Sequence, residues 1–133
     1  MEKYKKILVL ILKITIAIIL VQTLRFKFTA HPDSVYIFTQ VGMEPFGRIG
    51  IGTLELIASI LILIPRTSWI GNLLTLGIIG GAILMHLTIL GIEVNGDNGS
   101  LFFLAVLTEV LSILLLGLEK DKYPYINKYI IAQ

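Results

Sequence analysis

The chain has 133 residues, 56% of them apolar and 15% charged, with a net charge of +2 and a mean hydropathy of +0.88. A water-soluble domain of this size has too much surface for its volume to hide so much apolar side chain. The absence of cysteine excludes thiol–disulfide chemistry, a thiolate nucleophile and a cysteine-held iron–sulfur cluster. The small positive charge needs no nucleic acid, since anionic lipid head groups account for it.

The apolar residues fall in four blocks, 7–24, 48–64, 69–92 and 101–118, each close to the ~20 residues a helix needs to cross hydrocarbon. The first follows the basic stretch "MEKYKK", which resembles a signal-peptide n-region. No small-x-small cleavage site follows, and the chain runs on into "VQTLRFKF", so it reads as an uncleaved first helix. The connection from Arg25 to Gly47 is too long for a simple turn. Its "HPDSVYIFTQVG" predicts a short helix in the outer interface, capped by Asp33 or Ser34 and ending at Gly42. Val35, Phe38 and Val41 would form its apolar side. The second spanning block, "GRIGIGTLELIASILILIP", carries Glu55 among apolar neighbours and ends at the turn "PRTS". The third carries His86 near its end and a small-xxx-small pair, Gly77 and Gly81, which lets a neighbouring helix or a second copy of the chain approach. After the turn "NGDNGS" the fourth carries Glu109. The expected fold is an all-α integral membrane protein: one domain over 1–133, a four-transmembrane-helix bundle with a short interfacial helix in the first outer loop.

Four spans put both termini on one side. Lys3, Lys5, Lys6, Arg66, Lys120, Lys122 and Lys128 share that side, against Arg25, Lys27 and Arg48 opposite. The positive-inside rule therefore places both termini in the cytoplasm. Trp69, Tyr123, Tyr125 and Tyr129 suit the cytoplasmic interface.

Ionisable residues inside a span are expensive and read as functional by default. At a rise of 1.5 Å per residue, Glu55, His86 and Glu109 all lie roughly 9–12 Å from the outer surface. The helical period gives each span one polar stripe: Glu55 with Arg48 and Ser59, His86 with Asn72 and Thr75, Glu109 with Phe102 and Ala105, and Gln22 with Thr15 and Arg25. Lys13 falls on the side of helix 1 opposite Gln22 and is expected to snorkel to the cytoplasmic surface.

Several chemistries compete for these residues. Glu55, His86 and Glu109 form a competent carboxylate–histidine–carboxylate metal set, but the Glu-x-x-His spacing of di-iron bundles is missing. His31 lies in a loop, badly placed to pair with His86 across a haem. "GRIGIG" follows no strand, so it is no phosphate loop. Arg25, Lys27 and Arg48 read as interfacial anchors, as counter-ions to the glutamates, or as a clamp for an anionic head group. A purely structural hydrogen-bond network that sets helix register also remains open.

The "LRFKF" closing helix 1, "GRIGIGTLELIASILILIPRT", "GNLLTLGIIGGAILMHLTILG" and "GDNGSLFFLA" together resemble the DoxX family of small four-helix bacterial membrane proteins over nearly the whole chain. The most telling positions are Glu55, the "PRT" after it, His86, and Lys27 or Arg25. The resemblance implies a polar site near the outer surface and a link to quinone-dependent oxidoreductase complexes. The leading expectation is a membrane subunit of an oxidoreductase system that binds a quinone or similar amphipathic ligand through Gln22, Arg25, Lys27, Arg48, Glu55, His86 and Glu109. Glu55, His86 and Glu109 are the candidates for chemistry, with His86 donating to a quinone carbonyl and a glutamate relaying a proton. No covalently bound cofactor is expected, and a soluble or membrane partner would supply the electrons. The alternatives are a non-catalytic carrier of lipid or a small anion, and a structural membrane partner.

Overall fold

A computed structural model describes residues 2–122; Tyr123, Tyr125, Lys128 and Tyr129 lie outside the described residues. It contains α1 (Glu2–Phe28), α2 (Pro32–Gln40), α3 (Phe46–Leu63), α4 (Ser68–Met85) continued by a π-helical turn (His86–Leu90), α5 (Ser100–Leu118), and a closing 3₁₀ turn (Lys120–Lys122). Four of these helices are long and apolar enough to span a membrane, the π turn counting with α4. They form a closed ring in which α1 touches α3 and α5, and α4 touches the same two. The short α2 lies against α1, α3 and the π turn, across one end of the ring.

The bundle turns its large apolar residues outward. Ile18, Leu87, Phe103 and Ile113 are all more than half exposed, while Asn72, Thr75, Thr108 and Ser112 are fully buried. Such an arrangement is unstable in water and natural in lipid, where helices gain nothing by hiding leucine and pack through small and polar groups. The interior threonine hydroxyls bond backward along their own helix, Thr75 to the carbonyl of Gly71 at 2.8 Å and Thr108 to that of Leu104 at 2.8 Å. The Asn72 amide instead reaches across to the Ser112 carbonyl at 3.1 Å, tying α4 to α5.

Two glycines set the helix spacing around α3. A Cβ at Gly71 would lie 2.5 Å from the backbone nitrogen of Ile62 and 2.8 Å from the carbonyl of Ala58, so α3 and α4 touch backbone to backbone there. A Cβ at Gly52 would sit 2.9 Å from the Phe28 ring, which lets the end of α1 press against α3. Gly77 and Gly81 have open space where a side chain would stand.

The spans agree with the sequence reading, with three local differences. The α2 cap is neither Asp33 nor Ser34: the His31 ring accepts from the Asp33 backbone N–H at 3.1 Å, with Pro32 as the first helical residue. Helix α1 runs to Phe28, because nothing between residues 24 and 28 breaks it. The third span does not continue to Ile92; it widens at His86 into a π turn and stops at Gly91, whose φ of 79° lies in the left-handed region.

Lys13 reverses an expectation. It is buried rather than snorkelling, and its ammonium pairs with Glu119 at 3.1 Å, joining α1 to the end of α5. The inward stripe of α1 runs through Leu12, Ile16, Leu20 and Leu24, so Gln22 faces outward. The two faces of α1 are therefore opposite to the sequence assignment. A buried lysine paired with a glutamate 106 residues away outweighs the snorkelling expected from helix 1 alone.

Candidate functional site

The α2 end of the ring holds a cavity of about 290 Å³. Its walls are mostly apolar, contributed by all four long helices and roofed by Ile37, Phe38 and Val41 of α2. Only a few polar side chains interrupt them, chiefly Thr23, Lys27, Glu55 and His86.

Glu55 is the centre of one polar pole. It is 3% exposed, deep enough that a lone carboxylate would be strongly penalised. Lys27 meets it at 3.0 Å to one oxygen and 3.3 Å to the other, and the Thr23 hydroxyl donates to it at 2.8 Å. Thr23 and Lys27 stand one turn apart on α1 and so present one face to α3. The approach at Gly52, one turn from Glu55, brings that face within reach. The same Thr23 hydroxyl also lies 2.8 Å from the Leu20 carbonyl of its own helix, so its single proton is shared between two acceptors. Arg48 grips Glu44 at 2.9 and 3.0 Å and donates to the Lys27 carbonyl, bracing the end of α1 from behind.

His86 is the other pole. The ring is 6% exposed, packs edge-on against Phe102 with centroids 5.6 Å apart, and places Nδ1 2.9 Å from the Gly91 carbonyl. That carbonyl closes the π turn and would otherwise lack a donor. A carbonyl can only accept, so Nδ1 carries a proton. Nε2 makes no hydrogen bond among the described residues. π-helical turns inside α-helical spans are rare and cluster at functional sites.

The loop beneath the roof is built on Asp97. One carboxylate oxygen accepts from the backbone N–H groups of Val94 at 3.0 Å and Gly99 at 2.8 Å, and the other accepts from Leu101 at 3.2 Å. Partial burial alone would raise the Asp97 pKa, but these donors favour the carboxylate more strongly and hold it below its ordinary value near 3.8. A lowered folded-state value means the loop is fully stabilised above the ordinary pKa and weakened as pH falls through the folded one. Hydrogen exchange followed by mass spectrometry should find the amides of Gly99 and Leu101 protected at pH 5. That protection should fade only as the pH drops below about 4, and should already be weakened at pH 5 in Asp97→Ala.

Glu55, His86 and Lys27, three of the seven residues singled out from sequence, share this cavity. Arg48 supports it without lining it. Gln22 is exposed and borders a shallow outward groove with Ile18 and Val21. Arg25 is exposed at the rim. Glu109 lies apart from the cavity, beside Gly80 on the α4–α5 seam: its Oε1 is 3.4 Å from where a Gly80 Cβ would be, and its buried Oε2 has no hydrogen-bond partner among the described residues. The inward stripe of α5 runs through Thr108, Ser112 and Leu115, one residue round from the stripe read from sequence. Thr108 can face inward because its hydroxyl satisfies itself on its own helix, at the Leu104 carbonyl, whereas a carboxyl cannot. Consistent with that separation, no group of three metal-ligating side chains occurs among the described residues. Thr23 escaped the sequence reading, although its spacing from Lys27 was a usable signal.

Searches against protein-family models, curated proteins and solved structures find no match to this chain.

Proposed function

We propose that the protein is a membrane component of an oxidoreductase system that binds an amphipathic, quinone-type molecule, with its head group in the cavity between Lys27–Glu55 and His86. The observation that carries this reading is the cavity itself: about 290 Å³ of mostly apolar space whose lining includes the Lys27–Glu55 pair of α1 and α3 and, from the π turn, His86. Ligand sites are typically of this kind, largely apolar with a few placed polar groups, and range from roughly 300 Å³ upward. A single ring fits; a large polar substrate does not.

The tail has a way out. Helices α3 and α4 are in backbone contact at Gly71, away from α2, while Gly77, Gly81 and Met85 border the cavity nearer α2, and a side chain at either glycine would meet open space. An apolar tail leaving there would lie among lipid chains. With the termini cytoplasmic, as the positive-inside rule requires, this opening faces the outer leaflet of a bacterial plasma membrane. The sequence resemblance to DoxX proteins points to the same ligand class. A partner protein, soluble or membrane-bound, is the source of electrons.

An anion carrier fits less well. Lys27 and Arg48, the clamp such a carrier needs, are each already neutralised, by Glu55 and Glu44.

The reading is tested by native mass spectrometry from mild detergent, with a benzoquinone bearing a ten-carbon tail as added probe. The wild type should hold one equivalent. Gly81→Phe, which places a ring in the opening without touching either pole, should lose at least ten-fold in occupancy while keeping its helical circular dichroism. Equal occupancy in the two proteins, or none in the wild type at saturating probe, would overturn the proposal.

A further inference from the structure

The two poles of the cavity differ in hydrogen-bond character, and this difference selects the form of ligand. The Nδ1 proton of His86 is committed to the Gly91 carbonyl at 2.9 Å. Ion pairs among the described residues are Lys13–Glu119, Lys27–Glu55 and Arg48–Glu44; none involves the His86 ring. The Asp97 carboxylate lies near enough to the ring for their charges to interact, and the polarity of Nε2 follows from the neutral form of the ring. The neutral ring, with its proton held on Nδ1, offers only a lone pair at Nε2. In that neutral form His86, a lining residue of the cavity, offers an acceptor, the reverse of the donor role expected from sequence.

The other pole has the opposite character. The Lys27 ammonium has three protons and, among the described residues, pairs with Glu55 alone, which leaves it able to donate to a ligand oxygen. The Glu55 oxygens are already occupied by Lys27 and Thr23.

We infer that the site takes the reduced, hydroxyl-bearing form of the head group in preference to the oxidised form: a ring with a hydroxyl donating to His86 Nε2 and a second oxygen accepting from Lys27. A quinol or other para-oxygenated phenol meets both demands. A quinone, with two carbonyl acceptors, leaves Nε2 facing a lone pair, and a site built around one hydrogen-bond polarity rejects an analogue that cannot supply it. This inference rests on the binding reading above and adds to it the form that is bound.

Three probes with the same ten-carbon tail separate the possibilities under anaerobic conditions: a benzoquinol, its benzoquinone and its dimethyl ether, titrated into the full-length protein in detergent by calorimetry. The quinol should bind at least ten-fold more tightly than either of the others. If quinone or ether binds as tightly as the quinol, the inference is overturned while the binding reading stands. If none of the three binds, both fall. A second measurement needs no ligand and no change at the site. The chain has two histidines, so ¹⁵N-histidine NMR of the wild type, assigned with His31→Gln, reads the His86 tautomer directly. A protonated Nδ1 with a bare Nε2 is expected. A proton on Nε2 would overturn the inference regardless of the titrations.

Discussion

Glu55→Leu should destabilise the bundle by about 3–5 kcal/mol, the cost of stranding one partner of a buried ion pair. The substitution removes the partner of Lys27 and the acceptor of Thr23 together, at the point where α1 meets α3. The double variant Lys27→Met/Glu55→Leu should recover most of the loss, because a well-packed apolar pair of similar volume is often as stable as the ions it replaces. Thermal unfolding in detergent, followed by circular dichroism, should therefore place the single variant far below the double. If the single variant melts with the wild type, the carboxylate is not held in a dry pair, and the polar pole has been misassigned. The double variant also serves a second purpose. A folded bundle that no longer retains a head group separates binding from stability at these two positions.

Gly71→Val should be at least as damaging, for a different reason. Its side chain would have to enter the space of the Ile62 and Ala58 backbones, where a first carbon alone would lie within 2.5 Å of a nitrogen atom. Overpacking against movable side chains costs about 1–3 kcal/mol, and here no side chain can turn aside. Helices α3 and α4 would have to separate at the point from which they diverge toward the cavity, so ligand occupancy should fall along with stability. Gly77→Val, on the same helix, meets open space and should leave the melting temperature nearly unchanged. Equal effects at Gly71 and Gly77 would mean that the close contact of α3 with α4 is not where it is described.

The four spans were legible because lipid imposes a simple rule: about twenty apolar residues per crossing, and this sequence separates its crossings with Pro, Gly, Asn and Asp. The interfacial helix was legible from its turn chemistry, although the capping side chain was not. His31 accepts from Asp33 through its ring, an uncommon capping device beside the usual Ser, Thr, Asp and Asn. That Glu55 and His86 meet at one end of the ring followed from counting, but the direction of the other polar groups did not. In a membrane protein the outward face is as apolar as the inward one, so the periodicity that orients a soluble helix carries little information here. Gln22 and Lys13 were exchanged, and Glu109 was placed one step round its helix, because partners far apart in sequence decide the matter: Glu119 for Lys13 and Ser112 for Asn72. The π turn left no pattern to read. It became visible only through the bond from His86 to Gly91, and that bond sets the polarity of the site.

The most direct test of the binding site is photoaffinity labelling in native membranes with an azido-benzoquinol carrying a ten-carbon tail, followed by peptide mapping. Adducts confined to cavity walls such as Ile51, Met85 and Leu104, and suppressed by excess unmodified quinol, are the predicted result. Adducts spread over the outward faces around Ile18, Phe103 and Ile113, unaffected by competitor, would contradict the account and return Glu55 and His86 to a purely structural role.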